Sequence, residues 1–413
     1  MPDIVILADD LSGAADCGIV FAEAGLDTRV SLGTADPGQA VAVLAIDGDT
    51  RSRSCREAVT ETERLVRAHA GHGRTLFRKV DSTLRGHLAA ELAATLAVRR
   101  EDGPAIGILA PAFPATGRTT SGGHQHLDGV ALEHTSLWRR EGMRGRAHLP
   151  EMLEAAGLTA AVIGLELLRG PDLAAGLIEQ ARHHDVLVAD VEQDADLALL
   201  AQAARALDHE IIWAGSAGLA RHLVPTGTTP AARPPMPPLA GPILFVVGSA
   251  STVSRRQATH LAHQAPVTPL IVSTQTLRAG PDASDWLRAR AGLRVALARG
   301  QDTLVMLGDE DPTDLAEGAL LCRALAALIV PEAYPAAALV ATGGETARAL
   351  LDRMGATGLR LMGELEPGVP LSILEGARPI PIITKAGAFG TDATLLRCHA
   401  ALRATITHPE PRP

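Results

Sequence analysis

IVILADDLSGAADCG, residues Ile4 to Gly18, is the stretch from which the fold can be read. Five consecutive apolar residues, Ile4 to Ala8, have the length of a strand and the unbroken apolarity of one buried on both faces. They run into Asp9 and Asp10, and then through Ser12 and Gly13 into a helical pattern. Similar apolar runs recur at Val41 to Ile46, Thr75 to Val80, Ile106 to Ala110, Val186 to Asp190 and Ile211 to Ala214, with helical patterns between several of them. Such alternation predicts an α/β fold with a mainly parallel sheet flanked by helices.

The stretch VPTGTTPAARPPMPPLAGP, Val224 to Pro242, breaks the pattern, because its prolines remove backbone donors and it offers little to bury. Alternation resumes with strands at Ile243 to Gly248, Leu304 to Leu307, Ala338 to Thr342 and Pro381 to Thr384. Helices are expected near Thr252 to His263, Asp285 to Arg299, Pro312 to Leu328 and Glu345 to Asp352. A length of 413 residues agrees with two such domains. The expected division is therefore 1–223, a linker 224–242, and 243–413, with an active-site cleft between the domains that the linker allows to close.

Composition narrows the function. Asp and Glu total 47 against 38 Lys and Arg, aromatics are 2%, and no basic run could track a phosphate backbone, so nucleic acid is not expected as a partner. Cys17, Cys55, Cys322 and Cys398 show neither disulfide nor zinc spacing. No apolar run reaches the ~18 residues of a membrane span, and no basic-then-apolar leader follows Met1, so no membrane partner and a cytoplasmic location are expected. Only Lys79 and Lys385 are lysines; every other basic residue is arginine. A compact ammonium kept against that background points to an anion site in each half.

In open α/β sheets ligands bind beyond the carboxyl ends of strands, so polar residues after each apolar run are the candidates. Asp9, Asp10 and Ser12 follow the first strand. One of them has the ordinary work of capping the helix, and the other carboxylate is available as a base or for substrate hydroxyls. Asp47, Asp49, Thr50, Arg51 and Arg53 follow the second run, where the arginines either clamp a substrate carboxylate or pair with neighbouring aspartates. FRKVDSTLRGH, Phe77 to His87, gathers Lys79, Asp81, Ser82, Thr83 and Arg85 ahead of a helix starting near His87, an arrangement that attracts anions. PAFPATGRTTSGGHQHLDG, Pro111 to Gly129, is expected as an ordered loop with Arg118 and His124 as substrate contacts.

The second half has no GxxxxGK[ST] sequence and no protein-kinase signature, so a phosphate site must be built differently. Gly248, Ser249 and Ser251 lie between a strand and a helix, and so do Gly343, Gly344, Glu345 and Thr346. Glycines let phosphate approach the backbone while the helix start supplies N–H donors. GELEPGVPLS with Gly368 and ITKAGAFGTDATL with Lys385, Gly387 and Gly390 complete a polyphosphate cradle, in which Lys385 is the expected phosphate contact.

ILADDLSGAADCG, DGDTRSRS, KVDSTLRGH, PAFPATGRTT, GSASTVSRRQ, TGGETA, GELEPGVPLS and ITKAGAFG, in this order over nearly the whole chain, resemble the motifs of the four-carbon acid sugar kinases. LWRREGMRGRAHLP, Leu137 to Pro150, departs from that pattern. The resemblance implies an N-terminal domain for the acid and a C-terminal domain for ATP. It also implies transfer of the γ-phosphoryl group to the C4 hydroxyl of D-threonate, D-erythronate or a 3-oxo-tetronate. Asp9, Asp10, Arg51, Lys79, Asp81, Ser82 and Arg85 would face the acid. Ser249 or Ser251, Gly343 to Thr346 and Gly387 would face ATP. The carboxylate is expected among Arg51, Arg53, Arg85 and a helix start after Thr83. Asp10 or Asp81 would orient or deprotonate the hydroxyl, Mg²⁺ would bridge the phosphates, its protein ligands left open, and Lys385 would neutralise developing charge. A glycerate-type kinase and a non-catalytic acid-binding protein are the alternatives, and a homodimer is left open.

Overall fold

The computed structural model describes residues 3–33, 41–71, 73–225, 240–249, 251–308 and 315–405. The chain forms two compact units, Met1–Ala231 and Ala232–Pro413. Most of the Pro-rich segment expected as a linker, residues 226–239, lies outside the described residues, as do residues 312–314 of the helix expected from Pro312.

The first unit contains β1 (Ile4–Ala8), β2 (Thr28–Leu32), β3 (Val43–Asp47), β4 (Thr75–Lys79), β5 (Ala105–Ala110), β6 (Arg118–Ser121), β7 (His124–Leu127), β8 (Val130–Ala131), β9 (Ala160–Ile163), β10 (Val186–Ala189) and β11 (Glu210–Gly215). Eight of these run in the spatial order β2-β3-β1-β4-β11-β5-β10-β9, parallel throughout. Every residue of β1 is buried, which explains its unbroken apolarity. Helices α1 (Leu11–Glu23), α2 (Cys55–His69) and α3 (Leu88–Arg99) follow β1, β3 and β4. Register aligns the strand ends: Ala8 lies opposite Asp47 on one side and Lys79 on the other, and Gly215 lies opposite Lys79 and Ala110.

The stretch expected as a loop over Pro111 to Gly129 is instead largely a β-hairpin. β6 and β7 are antiparallel with Ser121 opposite His124, which leaves Gly122 and Gly123 as a two-residue turn with φ of 56° and 73°. Two positive φ values are what a tight turn matching strand twist requires, and glycine adopts them freely. Asp190, just past β10, accepts from the Gly122 and Gly123 amides at 2.8 and 2.9 Å. β2 and β9 were also not anticipated.

The second unit contains β12 (Ile243–Val247), β13 (Val267–Val272), β14 (Asp302–Leu307), β15 (Ala338–Thr342), β16 (Gly358–Glu364), β17 (Pro370–Glu375) and β18 (Pro381–Lys385). β13-β14-β12-β15-β18 run parallel, and β17 and β16 continue antiparallel beyond β18. β13 escapes sequence reading because it carries Pro269; its hydrogen-bonded neighbour is β14. β17 escapes it because a strand with one open face alternates instead of running apolar, and β16 because Gly358, Arg360 and Gly363 interrupt its apolar residues.

One buried ion pair ties the first sheet to its helices. Arg78 of β4 and Glu91 of α3 have side chains only 2% and 3% exposed, and their Nη2 and Oε1 atoms are 2.5 Å apart. The same Glu91 oxygen accepts from the Thr50 hydroxyl at 2.5 Å, so the turn after β3 hangs from this pair. Removing one partner of a buried pair strands the other charge in a dry place. Glu91→Ala should therefore cost roughly 3–5 kcal/mol in a denaturant melt of the first domain, and an unchanged midpoint would refute that role.

Candidate active site

Aligned strand ends bring Asp9 and Asp10 beside the turn that follows β3. The amides of Thr50 and Arg51 donate to the Asp9 carbonyl at 3.0 and 3.1 Å, which points the Arg51 side chain back across the end of β1. Its Nε and Nη2 donate to Asp9 at 2.8 Å each, and its Nη1 and Nη2 donate to Asp10 at 2.7 and 2.9 Å. Asp81, beyond β4, lies 3.7 Å from Nη2. Burial works against the Arg51 charge, but Asp10, Asp9 and Asp81 outweigh it and hold the guanidinium firmly protonated.

Asp10 also caps α1, accepting from the Gly13 amide at 2.8 Å. Gly13 is needed here, because a Cβ would sit 2.7 Å from Asp10 Oδ1 and 3.1 Å from Lys79 Nζ. Gly86, with φ of +85°, lets the next loop approach: its Cβ would lie 2.8 Å from Asp9 Oδ2.

Asp81 is surrounded by donors. Arg85 Nε and Nη2 each donate to it at 2.9 Å, and the Thr83 hydroxyl and the Thr83 and Arg85 amides donate too. Burial alone would raise this carboxyl, yet Arg85, Arg51 and Lys79 hold it well below the usual carboxylate range. A carboxylate so saturated is a poor proton acceptor, so its surroundings favour an electrostatic and ordering role over that of a base.

Of the remaining expected contacts, one lies outside the cluster and the others are placed as follows. Arg53 is exposed and pairs with Asp49 at 3.3 Å, outside the cluster. The helix expected near His87 starts at Leu88, with N-cap residue His87 lacking a side-chain cap bond; Leu84 and Gly86 take positive φ in the turn that separates this helix start from Thr83. The Ser82 carbonyl accepts from Gln125 of β7 at 2.8 Å, fastening the hairpin over this loop. Lys79 is buried and donates to the Val80 carbonyl at 3.0 Å.

Asp16 was not singled out from sequence. It lies four residues after Ser12 on the half-buried row of α1 formed by Ser12, Asp16 and Val20. Among the described residues it has no hydrogen-bond partner, and burial raises its carboxyl above the usual range against the pull of Lys79. An isolated acid in a helix of small and apolar residues was the available signal.

In the second unit, register aligns Val247 with Thr342 and Thr342 with Lys385. Gly248 and Ser249, Gly343 to Thr346, and Ala386 to Gly390 therefore leave three neighbouring strands at one level. The loops touch where glycines permit: a Cβ on Gly387 would lie 2.1 Å from Ser249 Oγ, and one on Gly248 would lie 2.3 Å from Thr346 Oγ1. Helices Thr252–Gln264 and Gly344–Arg353 begin here, with Ser251 and Gly343 at their N-caps and no side-chain cap bond at either. Their first amides remain available to an anion. Thr346 is buried beneath these turns, with Oγ1 3.4 Å from Cys322 Sγ, while Glu345 is exposed. Gly368, φ +79°, packs against Phe389, and Gly390 against Thr394 and Glu366, so both shape the last loop.

Lys385 was expected to reach toward phosphate, but its ammonium is committed to its own loop. It donates to the carbonyls of Ala386 (2.8 Å), Gly387 (3.3 Å) and Phe389 (3.0 Å). Ser254 and Gln257 hold the same loop through the Gly387 and Phe389 carbonyls. Burial lowers the Lys385 ammonium to about 8.

A family model for a sugar-binding N-terminal domain matches residues 4–223, and one for a nucleotide-binding C-terminal domain matches residues 244–395. The chain is 41% identical to the D-threonate kinase of Cupriavidus necator, over 96% of this chain and 97% of that one. The chain belongs to the four-carbon acid sugar kinase family. It is 29% identical to a 3-oxo-tetronate kinase of Methylobacterium radiotolerans, covering 93% and 95% of the two chains. Its fold matches the crystal structure of a Salmonella typhimurium protein with a TM-score of 0.79 at 22% identity, over 96% of this chain and 99% of that one. Among the described residues no helix is long and apolar enough to cross a membrane.

A loop ordered by an ammonium loosens when the proton leaves. The kinase's apparent affinity for nucleotide should weaken as pH rises through about 8, and Lys385→Met should bind weakly with no such step. Nucleotide titrations on either side of that pH check this; an identical pH profile in both proteins would contradict it.

Proposed function

We propose that the protein transfers the γ-phosphoryl group of ATP to the C4 hydroxyl of D-threonate. The observation that carries this reading is the pairing of two strand-end sites of opposite chemistry, one per domain. One is a carboxylate–arginine cluster suited to the hydroxyls of a sugar-like substrate; the other is a glycine-lined cradle with two uncapped helix starts, suited to a polyphosphate. The choice of D-threonate rests on the 41% identity to the D-threonate kinase, against 29% to the 3-oxo-tetronate kinase.

Within this reading Arg51 holds Asp9 and Asp10 in place so that their outer oxygen lone pairs can accept from substrate hydroxyls. Asp16, with no hydrogen bond of its own, is the carboxyl free to accept from the reacting hydroxyl. Lys385 acts on the nucleotide through the loop that it holds, so it is a positioning residue. Mg²⁺ entering with ATP would supply neutralisation of phosphate charge. Transfer further requires the hydroxyl and the γ-phosphate to meet in line with water kept out.

Coupled ADP release, measured with D-threonate, D-erythronate, their L-isomers, a 3-oxo-tetronate and glycerate, tests the proposal. D-Threonate should exceed every other acid in kcat/KM by at least about tenfold. No ADP above the ATPase background with any acid would overturn the kinase reading, and preference for another acid would overturn the substrate.

A further inference from the structure

An acid sugar brings one permanent negative charge into the first domain, and that charge needs a partner once water is displaced. The cluster at the strand ends has little to offer it. Asp9, Asp10 and Asp81 are already matched by Arg51, Arg85 and Lys79. All three Arg51 nitrogens donate to Asp9 and Asp10. Arg85 spends two nitrogens on Asp81 and turns the third toward Glu141 at 3.9 Å. Arg53 is outside. A carboxylate entering here would compete with three others for cations already in use.

Arg118 differs from these. It opens β6, and its backbone amide and carbonyl both bond to Phe113, three residues past the end of β5. The hairpin that carries it is fixed at three points: the Gly122 and Gly123 amides to Asp190, Thr120 to Val191 through two backbone bonds, and Gln125 to the Ser82 carbonyl. Its guanidinium therefore stands on a held platform at the same rim as Asp81 and Arg85, both near enough to act on its charge. Nη1 donates to the Thr116 carbonyl, whereas Nε is buried with no acceptor. No carboxylate among the described residues lies within ion-pair distance of it. Burial correspondingly lowers its proton affinity, only partly offset by the more distant Asp128 and Asp81. With Nη1 occupied, Nη2 and the buried, acceptor-less Nε are the two donors left to pair with a carboxylate.

We propose that Arg118, and not Arg51 or Arg85, receives the carboxylate of the substrate, and that it thereby makes the site select an acid over the corresponding uncharged polyol. This deepens the acid kinase reading above and rests on it. The cluster of Asp9, Asp10, Arg51 and Asp81 then addresses the hydroxyls, and the acid's charged end lies toward the hairpin.

The test compares D-threonate with uncharged D-threitol in the wild type, Arg118→Gln and Arg118→Lys. D-Threitol is followed as a substrate or, through its inhibition constant, as a competitor of D-threonate. Arg118→Gln should lower kcat/KM for D-threonate about a hundredfold, mainly through KM, and leave the D-threitol constant unchanged. Arg118→Lys should recover part of the loss, since it restores the charge without the fork. With rates referred to folded enzyme, weakening of D-threitol in parallel with D-threonate, like an unchanged acid preference, overturns the proposal. If the wild type phosphorylates no acid, the kinase reading fails separately. Calorimetric titration with D-threonate then decides the role of Arg118: binding lost in Arg118→Gln supports it, and equal or absent binding in both proteins refutes it.

Discussion

Two carboxylates at the end of one buried strand repel each other, and neither can be left unpaired away from water. The N-terminal site depends on how this is resolved: the Arg51 guanidinium lies across Asp9 and Asp10 and within 3.7 Å of Asp81, so one planar cation joins turns from three adjacent strands. The register of β3, β1 and β4 makes that possible, because Asp47, Ala8 and Lys79 stand side by side. Gly13 and Gly86 keep Cβ atoms out of the space that the carboxylates occupy. The buried Arg78–Glu91 pair reaches the same turn from behind through Thr50. Scaffold stability and site geometry are thus linked through a few buried polar contacts.

The nucleotide-binding domain solves the complementary problem. In the proposed reading it receives a highly charged ligand, and its three glycine-bearing strand-end turns, Gly248–Ser249, Gly343–Thr346 and Ala386–Gly390, contain no arginine or lysine. Two uncapped helix starts and glycine turns supply N–H donors at neighbouring strand ends, and the one lysine present orders the third loop. Backbone donors carry no net charge, so such turns cost little electrostatically by themselves and suit the phosphate site proposed above.

Much of the fold was legible because buried parallel strands are written as unbroken apolar runs; Ile4 to Ala8 and Ala338 to Thr342 fall where expected. What escaped was written in alternation, at edges or in interrupted runs, as in β17, in β13 with Pro269 and in β16 with Arg360 and two glycines. In the site, residue types at strand ends were readable, but their commitments were not. Arg51 and Arg53 look equivalent in the sequence, yet the turn sends one across Asp9 and the other to the surface. Lys385 was readable as an important ammonium, but its target was not, since it bonds to carbonyls one, two and four residues onward. Asp16 is hidden within a helix, and Arg118 acquires its meaning only from the hairpin that carries it and from the saturation of the other arginines.

The position of the new phosphoester bears most directly on how the two sites work together. Proton-coupled ³¹P NMR of the product formed from ATP and D-threonate reports it, because phosphorus on a CH₂–O group is split into a triplet by two protons. Transfer to the C4 hydroxyl predicts that triplet. A doublet, from a secondary ester at C2 or C3, or inorganic phosphate alone, would contradict it.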